Sequence, residues 1–100
     1  MNIVNFETDV NMNMSSLRGQ IKTTYDRLVE LFGKPTYSDA DPYEKVNAEW
    51  TVEAETDEGD FVKFSIYNWK TGSVPTEEYN WHIGGYSFDA VEAAYEVIGE

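Results

Sequence analysis

The chain has no cysteine, three prolines, one histidine and only seven basic residues against nineteen acidic ones. Each scarcity excludes something. Without cysteine there is no disulfide, no thiolate metal site and no cysteine nucleophile. That fits a cytoplasmic protein. No apolar run approaches the roughly 20 residues that span a bilayer, and the opening MNIVNFETDVNMNM lacks the basic and apolar regions of a signal peptide. No contact with a membrane is expected. Binding to nucleic acid depends on Lys and Arg neutralising phosphates, and the bases here form no patch, so direct binding is not expected either. The lone histidine, His82, has no orienting partner apparent in the sequence. There is no Gly-x-Ser-x-Gly, no phosphate-binding Gly-rich loop and no His-Glu-x-x-His. No enzyme activity, cofactor or metal is expected.

What is present is apolar and acidic. The 41% hydrophobic and 15% aromatic content of 100 residues argues for one folded domain over residues 1–100. The net charge of −12 is mostly local. From Asp39 to Asp60 nine carboxylates face one base, Lys45, while residues before Asp39 balance to zero. Charge says little about fold and much about partners.

Apolar spacing (Leu17, Ile21, Leu28, Leu31, Phe32) predicts a helix from about Ser16 to Phe32, stopped by Gly33 and Pro35. Val46, Ala48, Trp50, Val52 and Ala54 alternate with polar residues, the period of a half-buried strand. Asp57-Glu58-Gly59 makes a three-residue turn, and Val62, Phe64 and Ile66 return. Pairing Thr56 with Asp60 sets Ala54 against Val62, Val52 against Phe64 and Trp50 against Ile66, with Glu53 against Lys63 outside. A one-residue slip would place Lys63 in the core. Tyr79–Ile83 reads as a third strand ended by Gly84-Gly85. Ser87 caps a last helix to about Ile98, with Phe88, Val91, Ala94, Tyr95 and Ile98 on its apolar face. Residues 1–14 read as an edge strand or a flexible segment, the strand being favoured. The expected fold is α+β: an antiparallel sheet of three to four strands, two helices on one face, order (β)αβββα.

This register puts Glu49, Glu53 and Glu55 on the outer face and Tyr67 and Trp69 beside them. Asn80 and His82 join them if Trp81 and Ile83 point inward. Exposed Tyr and Trp rimmed by charge are typical interface anchors. Asp57, Glu58 and Asp60 continue the acidic row into the turn, and Asp39 and Asp41 lie in the loop before the hairpin. Asp39-Ala40-Asp41-Pro42-Tyr43-Glu44 clusters oxygen ligands but lacks the glycine and ligand ladder of a calcium loop. These ten residues (Asp39, Asp41, Glu49, Glu53, Glu55, Asp57, Glu58, Asp60, Tyr67 and Trp69) form the candidate partner-binding set. Carboxylates displayed on a rigid strand compete for clefts built to hold phosphates, and steering speeds the encounter.

The run Phe32-Gly33-Lys34-Pro35, Val46 with Glu49-Trp50, Ile66-Tyr67-Asn68-Trp69-Lys70 and Trp81-His82-Ile83-Gly84-Gly85 resembles small phage proteins, and no established function comes with it. At class level, the size, acidity and lack of cysteine are similar to phage-encoded anti-CRISPR and anti-restriction proteins, several of which act as DNA mimics. The resemblance implies stoichiometric binding to a basic, nucleic-acid-binding defence protein in the host cytoplasm, without catalysis. Two alternatives stay open. One is a ligand-binding or enzymatic domain centred on His82, Gly84 and Trp69. The other is an accessory protein that pairs with a second copy, as a homo-oligomer.

Overall fold

The computed structural model describes residues 1–99. The central hairpin follows the expected register. Strands β4 (Ala48–Thr56) and β5 (Phe61–Tyr67) pair Ala54 with Val62, Val52 with Phe64, Trp50 with Ile66 and Glu53 with Lys63. Thr56 N donates to Asp60 O at 2.8 Å, and Gly59 takes a positive φ of 86° in the turn. Burial explains why no other register competes. Trp50, Val52, Ala54, Phe64 and Ile66 have no exposed surface, and a slip would expose all of them.

The sheet is larger than expected. It has six antiparallel strands in the order β1-β4-β5-β6-β2, with β3 also paired to β4. The N-terminal segment is the edge strand β1 (Ile3–Thr8), beside β4. The expected long helix is two elements, β2 (Ser16–Thr23) and α1 (Tyr25–Phe32). Leu17 and Ile21 are four apart, which suits one helix face and equally one strand face. Gly19 decides against the helix, where it costs about 1 kcal/mol relative to Ala. In the strand it is useful: a Cβ there would lie 3.1 Å from Val91 Cγ2, so its absence lets the last helix approach. Thr24 then caps α1, its side chain accepting from Arg27 N at 3.1 Å. A bulge between Leu17 and Gly19 puts Leu17 outside, 57% exposed, while Ile21 is buried.

Strand β3 is the two-residue Tyr37–Ser38. Strand β6 (Tyr79–Gly85) runs through Gly84-Gly85, where a strand end was expected. A Cβ on Gly85 would sit 2.3 Å from Ala90 Cβ, so the glycine seats the following helix. That helix, α2 (Asp89–Ile98), buries Ala90, Ala93, Ala94 and Ile98. Phe88 is instead 68% exposed, and Tyr95 bonds the edge of β2 through its hydroxyl, to Gln20 O at 2.8 Å. Small residues on the buried face bring α2 close to the sheet, which turns the larger ones outward. Ser87 is not the cap; its hydroxyl bonds the Asp89 carboxylate.

Both helices lie on one face. Phe32 of α1 meets Phe64 and Phe6 edge-on at 6.1 and 5.4 Å between ring centres. Trp50 Nε1 donates to Gly33 O at 2.9 Å. Trp81 also points inward, edge-on to Trp50 at 5.6 Å, which turns Asn80 and His82 outward. No helix among the described residues is long and apolar enough to cross a membrane.

Candidate functional site

The face away from the helices is divided by the connection from β1 to β2. Asp9 N donates to Thr51 O of β4 at 3.0 Å. Lys63 Nζ of β5 donates to Asn11 O at 3.0 Å, and the Tyr86 hydroxyl, just past β6, donates to Asn13 O at 2.7 Å. The first bond extends the β1–β4 ladder by one residue, and the two side-chain contacts that follow, on β5 and just past β6, show the chain crossing the outer face. Val10 and Met12 are half-buried, and the outward positions Thr51 and Ser65 are buried. Glu49 and Glu53 lie on either side of Thr51, so the crossing separates them.

On one side is an acidic end. Glu53 and Glu55 of β4 face Glu7 and Asn5 of β1. The turn with Asp57, Glu58 and Asp60 continues it, all three exposed. Glu7 directly opposite Glu53 is a like-charge pair, which destabilises a sheet modestly. Lys63 lies across from Glu53, yet its ammonium is taken by Asn11 O. The only ion pair within 4 Å among the described residues is Arg27 with Glu30 at 2.6 Å, on α1. Glu7, Glu53, Glu55 and the turn acids have no base within that distance.

On the other side is an aromatic end. One row crosses four strands: Tyr37 (β3), Glu49 (β4), Tyr67 (β5) and His82 (β6). Tyr67 stacks on His82 at 5.4 Å and 24°, and Trp69 stands edge-on to Tyr67 at 6.3 Å. Leu17, Tyr67, Trp69 and His82 line a shallow concavity of about 260 Å³. Trp69 lies just beyond β5, 41% exposed, with Lys45 and Lys70 Nζ at 5.9 and 5.8 Å from its ring centre. At that range cation–π attraction holds the two ammoniums.

Every residue of this row has a displaced titration. Burial pushes the Glu49 carboxyl up. Burial also raises the Tyr67 hydroxyl, helped by the Glu49 charge. Tyr37 is raised by partial burial, then by the carboxylates of Asp39 and Glu44, its hydrogen bond to Asp39, and Glu49. Burial lowers the His82 imidazole, and the Tyr67 backbone offsets part of that. His82 Nδ1 is enclosed with no hydrogen bond of acceptable geometry. Perturbed groups concentrate where function sits, and here they share one line.

Two asparagines fix this end. Asn68 is fully buried: its Oδ1 accepts from Asn47 N at 2.8 Å and Ala48 N at 3.0 Å. Its Nδ2 donates to Asn47 Oδ1 at 3.0 Å and Thr71 Oγ1 at 2.7 Å. Asn47 Nδ2 donates to Asp39 O and Asp41 O at 2.9 and 3.1 Å. Two loops and the start of β4 are clasped with every amide group used, which is what makes a buried polar network rigid. Sequence reasoning placed Asn47 on a strand's polar side and passed over Asn68. The available signal was an Asn just before the first strand of the hairpin and another just after the second, each bordered by apolar residues.

Of the ten candidate residues, the structure joins Glu53, Glu55, Asp57, Glu58 and Asp60 at the acidic end. It joins Glu49, Tyr67 and Trp69 at the aromatic end. Asp39 and Asp41 shape the neighbouring loop, their Oδ1 atoms accepting from Asp41 N and Tyr43 N, each at 2.9 Å. Glu7, Tyr37, His82 and Leu17 complete the two ends. No group of three or more His, Asp or Glu side chains is placed to hold a metal among the described residues. Comparison of the chain with protein-family models, with curated proteins and with solved structures gives no match.

Proposed function

We propose that this chain is a stoichiometric binding protein that covers a basic surface of a protein partner with the outer face of its sheet. The observation that carries the reading is the row of Glu7, Glu53, Glu55 and the Asp57–Asp60 turn, on rigid strands and without a base within 4 Å. Acids without counter-ions keep their full field, which attracts a cationic surface and speeds docking. The adjoining Tyr67 and Trp69 provide the aromatic area that desolvated contacts use. The resemblance to small acidic phage inhibitors supplies the partner class: a host nucleic-acid-binding defence protein of the CRISPR or restriction type, its basic cleft blocked. The division of the face limits charge mimicry of a duplex to the acidic end.

The test is a direct binding assay against nucleic-acid-binding defence proteins, with and without duplex DNA. Binding that DNA displaces, and that weakens as salt rises, is expected. A complex that forms equally well in the presence of saturating DNA overturns the reading.

A further inference from the structure

We propose that the Tyr37–Glu49–Tyr67 row is the receptor for one arginine side chain of a protein partner. Its guanidinium would lie against a tyrosine ring and bond through both arms to the Glu49 carboxylate. The inference rests on the reading above only in taking the partner to be basic.

Glu49 differs from every other acid on this face in where it sits. It is half-buried, as Glu53 and Glu55 are, but it alone has a tyrosine directly opposite on each neighbouring strand. Directly opposite side chains share a face, with Cβ atoms about 5 Å apart, so the two rings flank the carboxylate. In front of it is a concavity of about 430 Å³ lined by Tyr37, Tyr43, Glu44, Lys45, Val46 and Glu49. A single extended side chain fits such a space. The one base in the lining, Lys45, does not neutralise the site. Its ammonium lies 5.9 Å from the Trp69 ring centre and within 4 Å of no carboxylate among the described residues. A partly desolvated carboxylate without a partner gains more from an incoming cation than an exposed one.

The geometry selects among cations. A guanidinium is flat, stacks on aromatic faces and matches a carboxylate with two parallel hydrogen bonds. An ammonium is compact and strongly hydrated, and gains less beside a ring and a half-buried acid. After burial, the carboxylates of Asp39 and Glu44 act on Tyr37 together with that of Glu49, which deepens the negative potential.

The experiment is a titration of the intact chain, followed by NMR, with N-acetyl-arginine methylamide and its lysine counterpart. The arginine compound is expected to shift Tyr37, Glu49 and Tyr67 saturably, about tenfold more tightly than the lysine one. Glu49→Gln, which keeps shape and removes charge, should weaken this about tenfold or more. Tyr37→Ala should weaken it less, and Glu53→Gln should leave it unchanged. Equal affinity for the two compounds, an undiminished response in Glu49→Gln, or shifts centred on Asp57–Asp60 would overturn the site. Because the probe is a single amino acid, the outcome is independent of the defence-protein assay. Selective arginine binding can hold even if that assay fails, and the reverse.

Discussion

Glu49 and Glu53 point from the same face of the same strand, four residues apart, and live in different surroundings. Glu53 belongs to a tract of acids, opposite Glu7 and continued by the exposed Asp57–Asp60 turn, that acts through its summed field. Glu49 lies among tyrosine rings, where burial raises its carboxyl, and burial together with the Glu49 charge raises Tyr67. What separates them is the segment 9–13, laid across Thr51. Two adjoining surfaces with different physics follow: one long-ranged and sensitive to salt, the other short-ranged and dependent on shape. Long-range charge governs how fast partners meet, and desolvated anchors govern how long they stay.

The largest expected effect comes from dismantling one end. Asn68→Ala leaves Asn47 N, Ala48 N and Asn47 Oδ1 without their partner. Unsatisfied buried groups cost about 1–3 kcal/mol each, so urea unfolding should show a loss of about 4 kcal/mol. A loss near zero would mean that the asparagine clasp does not organise the aromatic end. Next is the double reversal Glu53→Lys with Glu55→Lys. It should slow association and lower affinity for the basic partner by about 100-fold at low salt, with little difference left at high salt. Trp69→Ala should cost about 2 kcal/mol of binding through faster dissociation, with the salt dependence kept. If the two variants change the same kinetic constant, the division into two surfaces is wrong.

The smallest effect sharpens the comparison through pH. The Glu49 carboxyl is raised in the folded state, so the folded protein holds that proton more tightly than the unfolded chain. The corresponding stability is present at pH below the ordinary carboxylate range and is lost as pH rises through the raised value. Glu49→Gln should therefore stabilise the protein at neutral pH, by less than about 1 kcal/mol after solvent screening, and the gain should vanish in acid. His82 runs the other way. Its depressed imidazole favours the folded state above the ordinary histidine value, and that contribution is lost as pH falls through the lowered one. Urea midpoints of both variants should thus rise above the parent's at opposite ends of the pH range, Glu49→Gln at neutral pH and His82→Gln below the histidine range.

Much of this was legible in the sequence. Strict alternation around Trp50 sets the hairpin, and that hairpin's register alone puts Glu49, Glu53 and Tyr67 outside. The α+β class with both helices on one face followed. The segment 16–23 was misread because Leu17 and Ile21 fit helix and strand spacing alike, and the bulge that sends them to opposite faces leaves no periodic trace. The crossing segment 9–13 was invisible because its contacts use backbone carbonyls and a Lys and a Tyr more than fifty residues away. Tyr37 entered the row through a two-residue strand, too short for any pattern.

The most direct measurement follows the rate at which the chain associates with a captured defence protein, for the parent and for Glu53→Lys with Glu55→Lys, as salt is raised until the screening length is about 3 Å. The account predicts that the parent's association rate falls steeply with salt, that the variant's hardly changes, and that duplex DNA displaces the parent. Parallel salt profiles for the two proteins would contradict it.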